Sequence, residues 1–596
     1  MCQPGEIEVS DAYHLPIIKA FADRIDLVNI INRLVPSNME IDPGTLLLAM
    51  VLDALSGRHP LYRIESFYEN KDIELLLGQH LDVDKLGDDN FGRMLDLLYA
   101  ANTTHVFSEI ARNALRIFKV PTQHIHFDTT SVTVYGAYEP SEPNSPSALK
   151  ITKGYSKDHR PDLNQFLISL LCTGGNVPIF CNLEDGHASD KKVNNAVLTD
   201  ISRTLSRVGI DPGAAIYIAD SAFVTADNLR PAADTTLFIS RLPATFGEHR
   251  RLIEEAVASQ SWQDHGMPAI TAPTKNRPGT HYRSHETTVN LYERTYRAVV
   301  VHSSAHDRRR QKRLQRQLET ERKQRSKSIK EIDKTSYFCR ADADAAVVRL
   351  QKESLPYHQL ELTVVEKPQY ARGRPKVDGS RALKHLHYGI SAQLTEKAEA
   401  LATMKEQAGC FVLITNVAPQ GPPNAQVPYD GKMILKACKD QNGIEHNFGF
   451  LKDPVPVNAI FLKKPERIEA LGLIPVISLL IRRLIELTMR QYLEQHQSEL
   501  PGWNKRPTER PTTFMMTTKF ESVQVIMVRG QRLLGRRLSE IQELYLAALG
   551  LTSSMFTEPV RSGLPPGPTA TALFRCREPS LEEEILSKSL NLTCEM

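Results

Sequence analysis

The segment that decides the fold class of this chain is His124-Ile-His-Phe-Asp-Thr-Thr-Ser-Val-Thr-Val134. Its β-branched and aromatic residues alternate with polar ones, which predicts a strand in a half-buried sheet from His124 to Tyr135. Two further runs of this kind, Leu163 to Cys172 and Pro178 to Leu183, follow after Gly, Pro or Asp turns. Three strands joined by hairpins are therefore expected.

Helix and strand patterns alternate after the third strand. Helical spacing in Asn195 to Val208 and in Thr225 to Ala233 flanks the short apolar run Ala214 to Ala219, and Thr235 to Leu242 completes the series. The resulting order, β-β-β-α-β-α-β, predicts an α/β fold whose sheet mixes antiparallel hairpins with crossover units.

Length and composition exclude several classes of protein. The chain has 596 residues with 73 Lys+Arg and 70 Asp+Glu, so it is too long for one core and has an ordinary globular composition. Its most apolar stretch, Ala470 to Ile481, is shorter than a membrane span, and Met1 to Gly5 do not resemble a signal peptide. A cytoplasmic protein without a membrane partner is expected. The eight cysteines are scattered, which makes structural zinc improbable.

The patterns divide the chain into six segments. The first and fifth read as helical, the second and fourth as parts of one α/β core, the third as a mainly β insertion with a basic helical arm at 307–334, and the last as a loosely ordered tail. Their boundaries are 1–118, 119–242, 243–430, 431–495, 496–556 and 557–596. The first segment either binds DNA or only packs against the rest. The helical patterns after the insertion cover Lys432 to Phe450, Arg467 to Leu493 and Phe520 to Leu549.

Three carboxylates stand at positions that could carry chemistry. Asp128 interrupts a strongly β run, Asp220 follows the apolar strand Ile216 to Ala219, and Glu445 lies on a helical pattern. Each also has a plain structural interpretation: Asp128 as a turn or cap residue, Asp220 as the N-cap of the next helix, and Glu445 as a solvated helix residue. If the three converge, cations must hold them ionised, and hard oxygen ligands favour Mg²⁺ or Mn²⁺. Two such ions support in-line phosphoryl displacement.

The residues around these acids resemble the insertion-sequence transposases of the DDE class, and the resemblance spans most of the chain. Asp220-Ser-Ala-Phe223 matches the family's second-aspartate pattern, and Glu445 and Lys452 have the spacing of the pattern Tyr-x2-Arg-x3-Glu-x6-Lys. Cys438 and Gln441 replace the Tyr and Arg of that pattern. Further similar motifs are Phe127-Asp128-Thr-Thr-Ser131, Gly154-Tyr-Ser-Lys-Asp158, Phe238-Ile-Ser-Arg-Leu-Pro243 and Leu451-Lys-Asp-Pro454.

The resemblance implies a ribonuclease-H-like mixed sheet flanked by helices, with a β-rich insertion before the last acid. It also implies that Asp128, Asp220 and Glu445 bind two Mg²⁺ or Mn²⁺ ions, and that the enzyme cleaves its element ends and joins the 3′-hydroxyl to target DNA. The expected partner is double-stranded DNA, bound by a homodimer in the cytoplasm, at the nucleoid. Two alternatives remain: an inactive or repurposed DNA-binding protein, and a metal-dependent nuclease without strand transfer.

Basic residues indicate where DNA would bind. Between Asp307 and Lys334 the chain has twelve Lys/Arg and five Asp/Glu, and the first candidates for phosphate contact are Arg308, Arg309, Arg310, Lys312 and Arg313. A solvated helix is the alternative there. Arg372 and Arg374 belong to a short AT-hook-like motif, for which a polar loop is the alternative. Lys452 lies two helical turns beyond Glu445, where it could reach a phosphate near the cut or be a plain surface lysine. His126 and His446 adjoin the acids and are expected to be structural.

Overall fold

The computed structural model describes most of the chain as two compact units. The described residues are 7–135, 138, 149–156, 160–188, 201–267, 279–352, 355–372, 379, 381, 383–422, 425, 427–440, 442–452, 462 and 464–558, without the side chains of 233, 305–310, 400 and 442. One unit comprises Met1–Pro212 and Asn442–Met596, and the other comprises Gly213–Gln441. The boundaries between the units fall inside two of the six predicted segments, 119–242 and 431–495. The predicted tail from 559 onward lies outside the described residues.

The part of the first unit that precedes the second unit in the chain is rich in helices. These helices are α1 (Leu15–Arg24), α2 (Leu27–Leu34), α3 (Pro43–Ala54), α4 (Ile64–Tyr68), α5 (Ile73–Leu77), α6 (Asp88–Ala100), α7 (Thr103–Phe118) and α8 (Ile201–Arg207). The strands of its first segment are β1 (Ile7–Asp11), β2 (His124–Val134), β3 (Asn164–Cys172) and β4 (Pro178–Glu184). The predicted strands thus agree with β2, β3 and β4 to within one residue at each end.

The three strands β2, β3 and β4 form an antiparallel sheet in the order β4-β3-β2. The register pairs Phe127 with Leu171 and Val132 with Phe166. Almost every residue of β3 is buried, because helices from both ends of the chain cover the sheet. The apolar runs of these strands therefore supply the core of the first unit.

The remaining elements of the second unit and of the C-terminal segment follow in chain order. The second unit contains β5 (Ile216–Ala219), α9 (Ala226–Thr235), β6 (Leu237–Arg241), α10 (Gly247–Ser259), β7 (Gln263–Gly266), β8 (Tyr282–Leu291), β9 (Arg294–Ser303), α11 (Ser304–Lys334), β10 (Ser336–Tyr337), α12 (Arg340–Gln351), β11 (His358–Tyr370), β12 (Leu383–Glu396), α13 (Ala398–Ala408), β13 (Cys410–Thr415) and α14 (Gly431–Asp440). The chain then returns to the first unit with α15 (Asn442–Leu451), α16 (Pro465–His496), β14 (Leu500–Pro501), β15 (Pro507–Thr508), α17 (Thr513–Phe520), β16 (Gln524–Val528), β17 (Gln531–Leu534) and α18 (Glu540–Ala548).

The second unit contains a mixed sheet in the order β5-β6-β13-β9-β8-β7. Only β5 and β6 are parallel among the strand pairs described there, with Ile216 opposite Leu237 and Ala219 opposite Ser240. The protein is thus a mixed α/β fold, as the strand and helix patterns predict. Its insertion is mixed rather than mainly β, because α10 to α13 lie between its strands. The strands β10, β12 and β11 form a separate three-stranded sheet there.

The predicted helical block at 520–549 is wrong in its first half. Residues 524–534 form the hairpin β16–β17, whose turn places Arg529 and Gly530 at positive φ (50° and 77°). β16 also pairs with β1 at the other end of the chain, with Val9 opposite Ile526. Arg24 donates to the carbonyl oxygens of Leu549 and Gly550 at 2.9 and 2.8 Å. The N-terminal helices therefore share one body with the C-terminal segment.

The described residues of the helical pattern predicted for Lys432 to Phe450 are all helical, in α14 before position 441 and in α15 after it, and Gln441 lies outside the described residues. α14 ends in the second unit and α15 begins in the first, so the boundary between the units falls inside this pattern. Among the described helices, none combines the length and apolar character needed to cross a bilayer.

Candidate active site

Asp128 lies on β2 with its side chain half-buried, and its Oδ1 accepts a hydrogen bond from the amide of Thr129 at 2.7 Å. The β2–β3 register places Asp128 opposite Leu170 and His126 opposite Cys172. Residues directly opposed in an antiparallel pair, and residues two apart on a strand, point to the same face of the sheet. Asp128, His126 and Cys172 therefore share one face.

The helix that carries Glu445, α15, packs on this same face. Asn447 of α15 is fully buried, and its Nδ2 donates to Sγ of Cys172 at 3.3 Å and to the carbonyl oxygen of Asn176 at 2.9 Å. α15 also contacts β2 itself. The first unit therefore brings the strand of Asp128 and the helix of Glu445 together.

Glu445 is exposed in the first turn of α15, where the helix dipole favours a carboxylate. The buried stripe of the helix includes Ile444 and Leu451, and Glu445 lies beside it. Lys452 is seven positions further on, about 10 Å along the axis and on the same flank, and it is half-buried. His446 is exposed on another side of the helix. Lys452 follows the last residue of α15, and its amide donates to the carbonyl oxygen of Phe448 at 2.9 Å, so the helical hydrogen bonding extends to it.

A buried polar network fixes α15 against α16. Oδ1 of Asn447 accepts from Nε of Arg483 at 2.7 Å, and Arg483 also donates to Glu486 at 2.5 Å. Glu486 accepts from Arg490 at 3.1 Å as well. Burial raises the pKa of Glu486, but Arg483, Arg490 and Arg482 more than offset this, so its pKa lies below the usual range. The network is therefore charged, hydrogen-bonded and rigid, and sequence reasoning missed it because its members are far apart in the chain.

Two guanidinium groups hold the far end of α15. The side chains of Arg58 and Arg482 each lie 4.9 Å from the ring centroid of Phe450, on the last turn of the helix. Cation–π contacts of this kind contribute about 0.5–1 kcal/mol each at exposed sites. The loop that carries Arg58 is fixed by His59, whose Nδ1 lies 2.7 Å from Oδ1 of the buried Asp53. Helix α15 is thus held at its middle, through Asn447, and at its last turn, through Phe450.

A cavity of about 170 Å³ lies next to this helix within the first unit. Its lining is mainly apolar and includes Val132, Phe166 and Ile168 of the sheet and Leu451 of α15. Val132 is four residues beyond Asp128 on β2, so the cavity is on the Asp128 face. The cavity belongs to the packing of α15 against the sheet.

The histidine and cysteine beside Asp128 are buried and uncharged. Burial lowers the pKa of His126 to about 3, with a smaller contribution from His124. Burial raises the pKa of Cys172 to about 12. At neutral pH neither residue exchanges a proton readily, so the ionisable oxygen on this part of the sheet face belongs to Asp128.

Asp220 lies in the second unit, directly after β5. It is exposed and caps the short 3₁₀ turn Ser221–Phe223, since its Oδ1 accepts from the amide of Ala222 at 2.9 Å. The buried ring of Phe223 packs against the rings of Tyr217 and Phe238 and anchors this turn. The residue therefore makes the N-cap contact of its structural interpretation, and it also stands at the carboxyl end of a parallel strand, where α/β sheets present ligands.

The two departures from the family pattern fall at the boundary between the units. Cys438 lies on α14 against the core of the second unit, and burial raises the pKa of its thiol to about 11. Gln441 lies outside the described residues. The residue is half-buried, and its thiol lacks the ring and the hydroxyl group of a tyrosine.

The chemistry of the three carboxylates decides which metal ions they could bind. Among the residues that the structure describes, no group of three or more His, Cys, Asp or Glu side chains is arranged to hold a metal ion. Asp128 and Glu445 each offer carboxylate oxygens, and Asp220 offers a third pair. These hard donors suit Mg²⁺ or Mn²⁺ rather than a softer metal.

The predicted DNA-binding residues are partly described. Lys312 and Arg313 are exposed on α11, and Arg372 is exposed after β11. The backbone of α11 is helical through 308–310, but the side chains of Arg308, Arg309 and Arg310 lie outside the described part of the chain. Arg374 lies outside it altogether.

One comparison with known proteins bears on the N-terminal part of the chain. Residues 7–112 match a family described as a domain of unknown function (DUF4277). This domain is found in transposase-like proteins. A search of the curated proteins finds no match to the chain.

Proposed function

We propose that this protein is a transposase of the DDE class, which binds the ends of its own insertion element, cleaves them and joins the 3′-hydroxyl to target DNA. The observation that carries the proposal is the packing of the Glu445 helix on the Asp128 face of β2, fixed by Asn447 and Cys172. The match of residues 7–112 to a domain found in transposase-like proteins supports it.

The order of elements supports a ribonuclease-H-like arrangement in this proposal. Antiparallel strands β2, β3 and β4 come first, with Asp128 on the first of them. The parallel pair β5–β6 follows, with Asp220 at the end of β5. A long insertion then separates β6 from the helix of Glu445, which accounts for the wide gap between the second and third acids.

In the proposed mechanism the chain's own residues bind and orient DNA. Asp128, Asp220 and Glu445 would hold Mg²⁺ or Mn²⁺ as a pair of ions, whose bound charge stabilises the attacking and leaving oxygens of an in-line displacement. Glu445 lies in the first turn of α15, where the helix dipole interacts favourably with a negative charge. Lys452, on the same flank, places a positive charge where a phosphate next to the cut would lie. The buried Asn447 network keeps α15 from moving when DNA binds.

The proposed partner is double-stranded DNA, both at the element ends and at the target. Cutting two ends and joining them requires both in one complex, so we expect a homodimer on DNA. The protein would act in the cytoplasm, at the nucleoid. Basic side chains of α11, including Lys312 and Arg313, would contact phosphates.

The proposal is tested with purified protein, Mg²⁺ and the genomic DNA that flanks its coding region. The Glu445→Gln variant should lose strand cleavage while keeping DNA affinity, because the amide cannot supply a charged ligand. Glu494→Gln is the matched control, since Glu494 is exposed on α16 and should keep full activity. Full cleavage by Glu445→Gln would remove Glu445 from the mechanism.

The half-buried Cys438, at the tyrosine position of the family pattern, favours a second candidate, a repurposed DNA-binding protein without transposition activity. A thiol there removes one phosphate-contacting position of that pattern. Mapping of DNA products separates the candidates. A transposase yields joined ends, a nuclease yields cuts without joined products, and a repurposed protein yields neither.

A further inference from the structure

The longest helix of the second unit, α11, has two opposite faces. Leu314 and Leu318 are buried against Leu401, with Tyr357 and Met404 around them. Six basic residues occupy the opposite side: Lys312, Arg316, Lys323, Lys327, Lys330 and Lys334. At 100° per residue their directions fall within an arc of about 60°, roughly opposite the two leucines. All six are exposed, and together they are called the basic stripe.

The stripe is long and nearly straight. From Lys312 to Lys334 there are 22 residues, which at 1.5 Å per residue span about 33 Å. This length is close to one turn of a DNA duplex, about 34–36 Å. The charges are held in place because α11 is packed on α13 and β12.

The acidic residues of α11 leave the stripe largely uncompensated. Glu321 is turned inward, where its Oε2 lies 2.9 Å from Nδ1 of the buried His358 and accepts from the amide of Tyr357 at 3.2 Å. The carbonyl oxygen of Asp333 accepts from Lys367, and its Oδ1 accepts from the amide of Ala392 at 3.4 Å.

Glu319 lies at one edge of the stripe, between Arg316 and Lys323, and the exposed Glu331 lies at the other edge, four residues after Lys327. Among the described residues, the structure records no ion pair that involves any of the six basic side chains. The stripe therefore carries six positive charges, against two negative charges at its edges.

We propose that the basic stripe binds the phosphate backbone of double-helical DNA along about one turn, without reading base sequence. Side chains that carry point charges on flexible stems neutralise phosphates but do not select bases. No large apolar side chain lies within the stripe, which distinguishes it from a helix that inserts into a membrane surface. The inference deepens the proposed function and rests on it for the choice of DNA among polyanions.

The salt dependence of duplex binding tests the stripe. The probe is a 30-base-pair duplex without element-end sequence, and the protein is the full chain. The variant combines Lys323→Gln, Lys327→Gln and Lys330→Gln. Each lost phosphate contact should make the slope of log K against log[salt] shallower by about 0.9, so the triple variant should lose about 2.7. Replacing the same three lysines with arginine should leave the slope at the parental value.

A control of equal charge removes basic residues of the same subdomain outside the stripe. It combines Arg322→Gln, Arg349→Gln and Lys352→Gln, all exposed, and its slope should stay near the parental value. Equal losses in the two triple variants would overturn the stripe and leave only a net-charge effect. Failure of the parent to bind the duplex would overturn it as well.

The outcomes also separate the stripe from the catalytic proposal. If the parent protein cleaves element ends but the stripe variant has an unchanged salt slope, the stripe inference is overturned and the transposase proposal stands. If the parent protein never cleaves but the slope of the stripe variant changes as expected, the transposase proposal is overturned and the stripe inference stands. A third outcome is that the parent protein binds vesicles of anionic phospholipid, that the stripe variant does not, and that the duplex slope is unchanged. This outcome would assign the stripe to a membrane surface and overturn the inference.

Discussion

Replacing Asn447 with alanine should detach the Glu445 helix from its support. The side chain is fully buried, and its three hydrogen bonds go to Arg483, Asn176 and Cys172. The bond to Arg483 is charge-assisted and contributes about 1.5–3 kcal/mol, and the bond to Asn176 contributes about 0.5–1.5 kcal/mol. The contact with sulfur is weaker. The substitution also leaves Nε of Arg483 without its partner, so we expect a loss of about 3–4 kcal/mol in the free energy of unfolding of the first unit.

The assay must report on the first unit alone, because a protein of two units does not unfold in one step. The chain has two tryptophans, Trp262 in the second unit and Trp503 in the first. In a Trp262→Phe background, urea unfolding followed by Trp503 fluorescence isolates the first unit. His446→Ala, on an exposed side of the same helix, is the control and should change stability by less than about 0.5 kcal/mol. An Asn447→Ala loss no larger than the loss in this control would refute the supporting role of the network.

Further predictions concern other parts of the fold. His126→Phe should flatten the pH dependence of first-unit stability. The pKa of His126 in the folded protein, about 3, lies below its value in the unfolded chain. Its contribution to stability is therefore full above pH about 6.5 and is lost as pH falls towards 3, by up to about 1.4 kcal/mol per pH unit. A slope equal to the parent's would show that His126 does not titrate in this way. Gly154→Ala should destabilise the first unit by about 1–3 kcal/mol, because its Cβ would lie 2.0 Å from the carbonyl oxygen of Gly186. Gly449→Ala meets open space on an exposed helix and should instead raise stability by up to about 1 kcal/mol, as measured by the same urea titration. Leu318→Ala should lower the free energy of unfolding of the second unit by about 2–4 kcal/mol and should weaken duplex binding. An unchanged duplex affinity would show that DNA contact does not depend on the packing of α11.

The strands of the sheets were predictable because their sequences contain strong local signals. The alternation in His124–Val134 and the apolar run before Asp220 each give a strand at the expected place. The hairpin β16–β17 was missed because Arg529 takes the left-handed conformation at a turn position where Asn, Asp or Gly is usual. Its partner β1 lies more than 500 residues away, and no local pattern encodes such a pairing.

The candidate site was predictable only in part. The spacing of Glu445 and Lys452 predicts that they share one flank of the helix, since a helix repeats its direction about every seven residues. The partners that hold the helix were not predictable, because Asn447 meets Arg483 and Cys172 through tertiary packing.

Titration of Mn²⁺ into the purified protein measures the joint action of the three carboxylates most directly. Binding should be observed for the parent and should weaken by at least about tenfold in each of Asp128→Asn, Asp220→Asn and Glu445→Gln, while Glu494→Gln binds as the parent does. If any one of the three variants binds Mn²⁺ as tightly as the parent, that carboxylate is not a ligand and the three acids do not form one metal site.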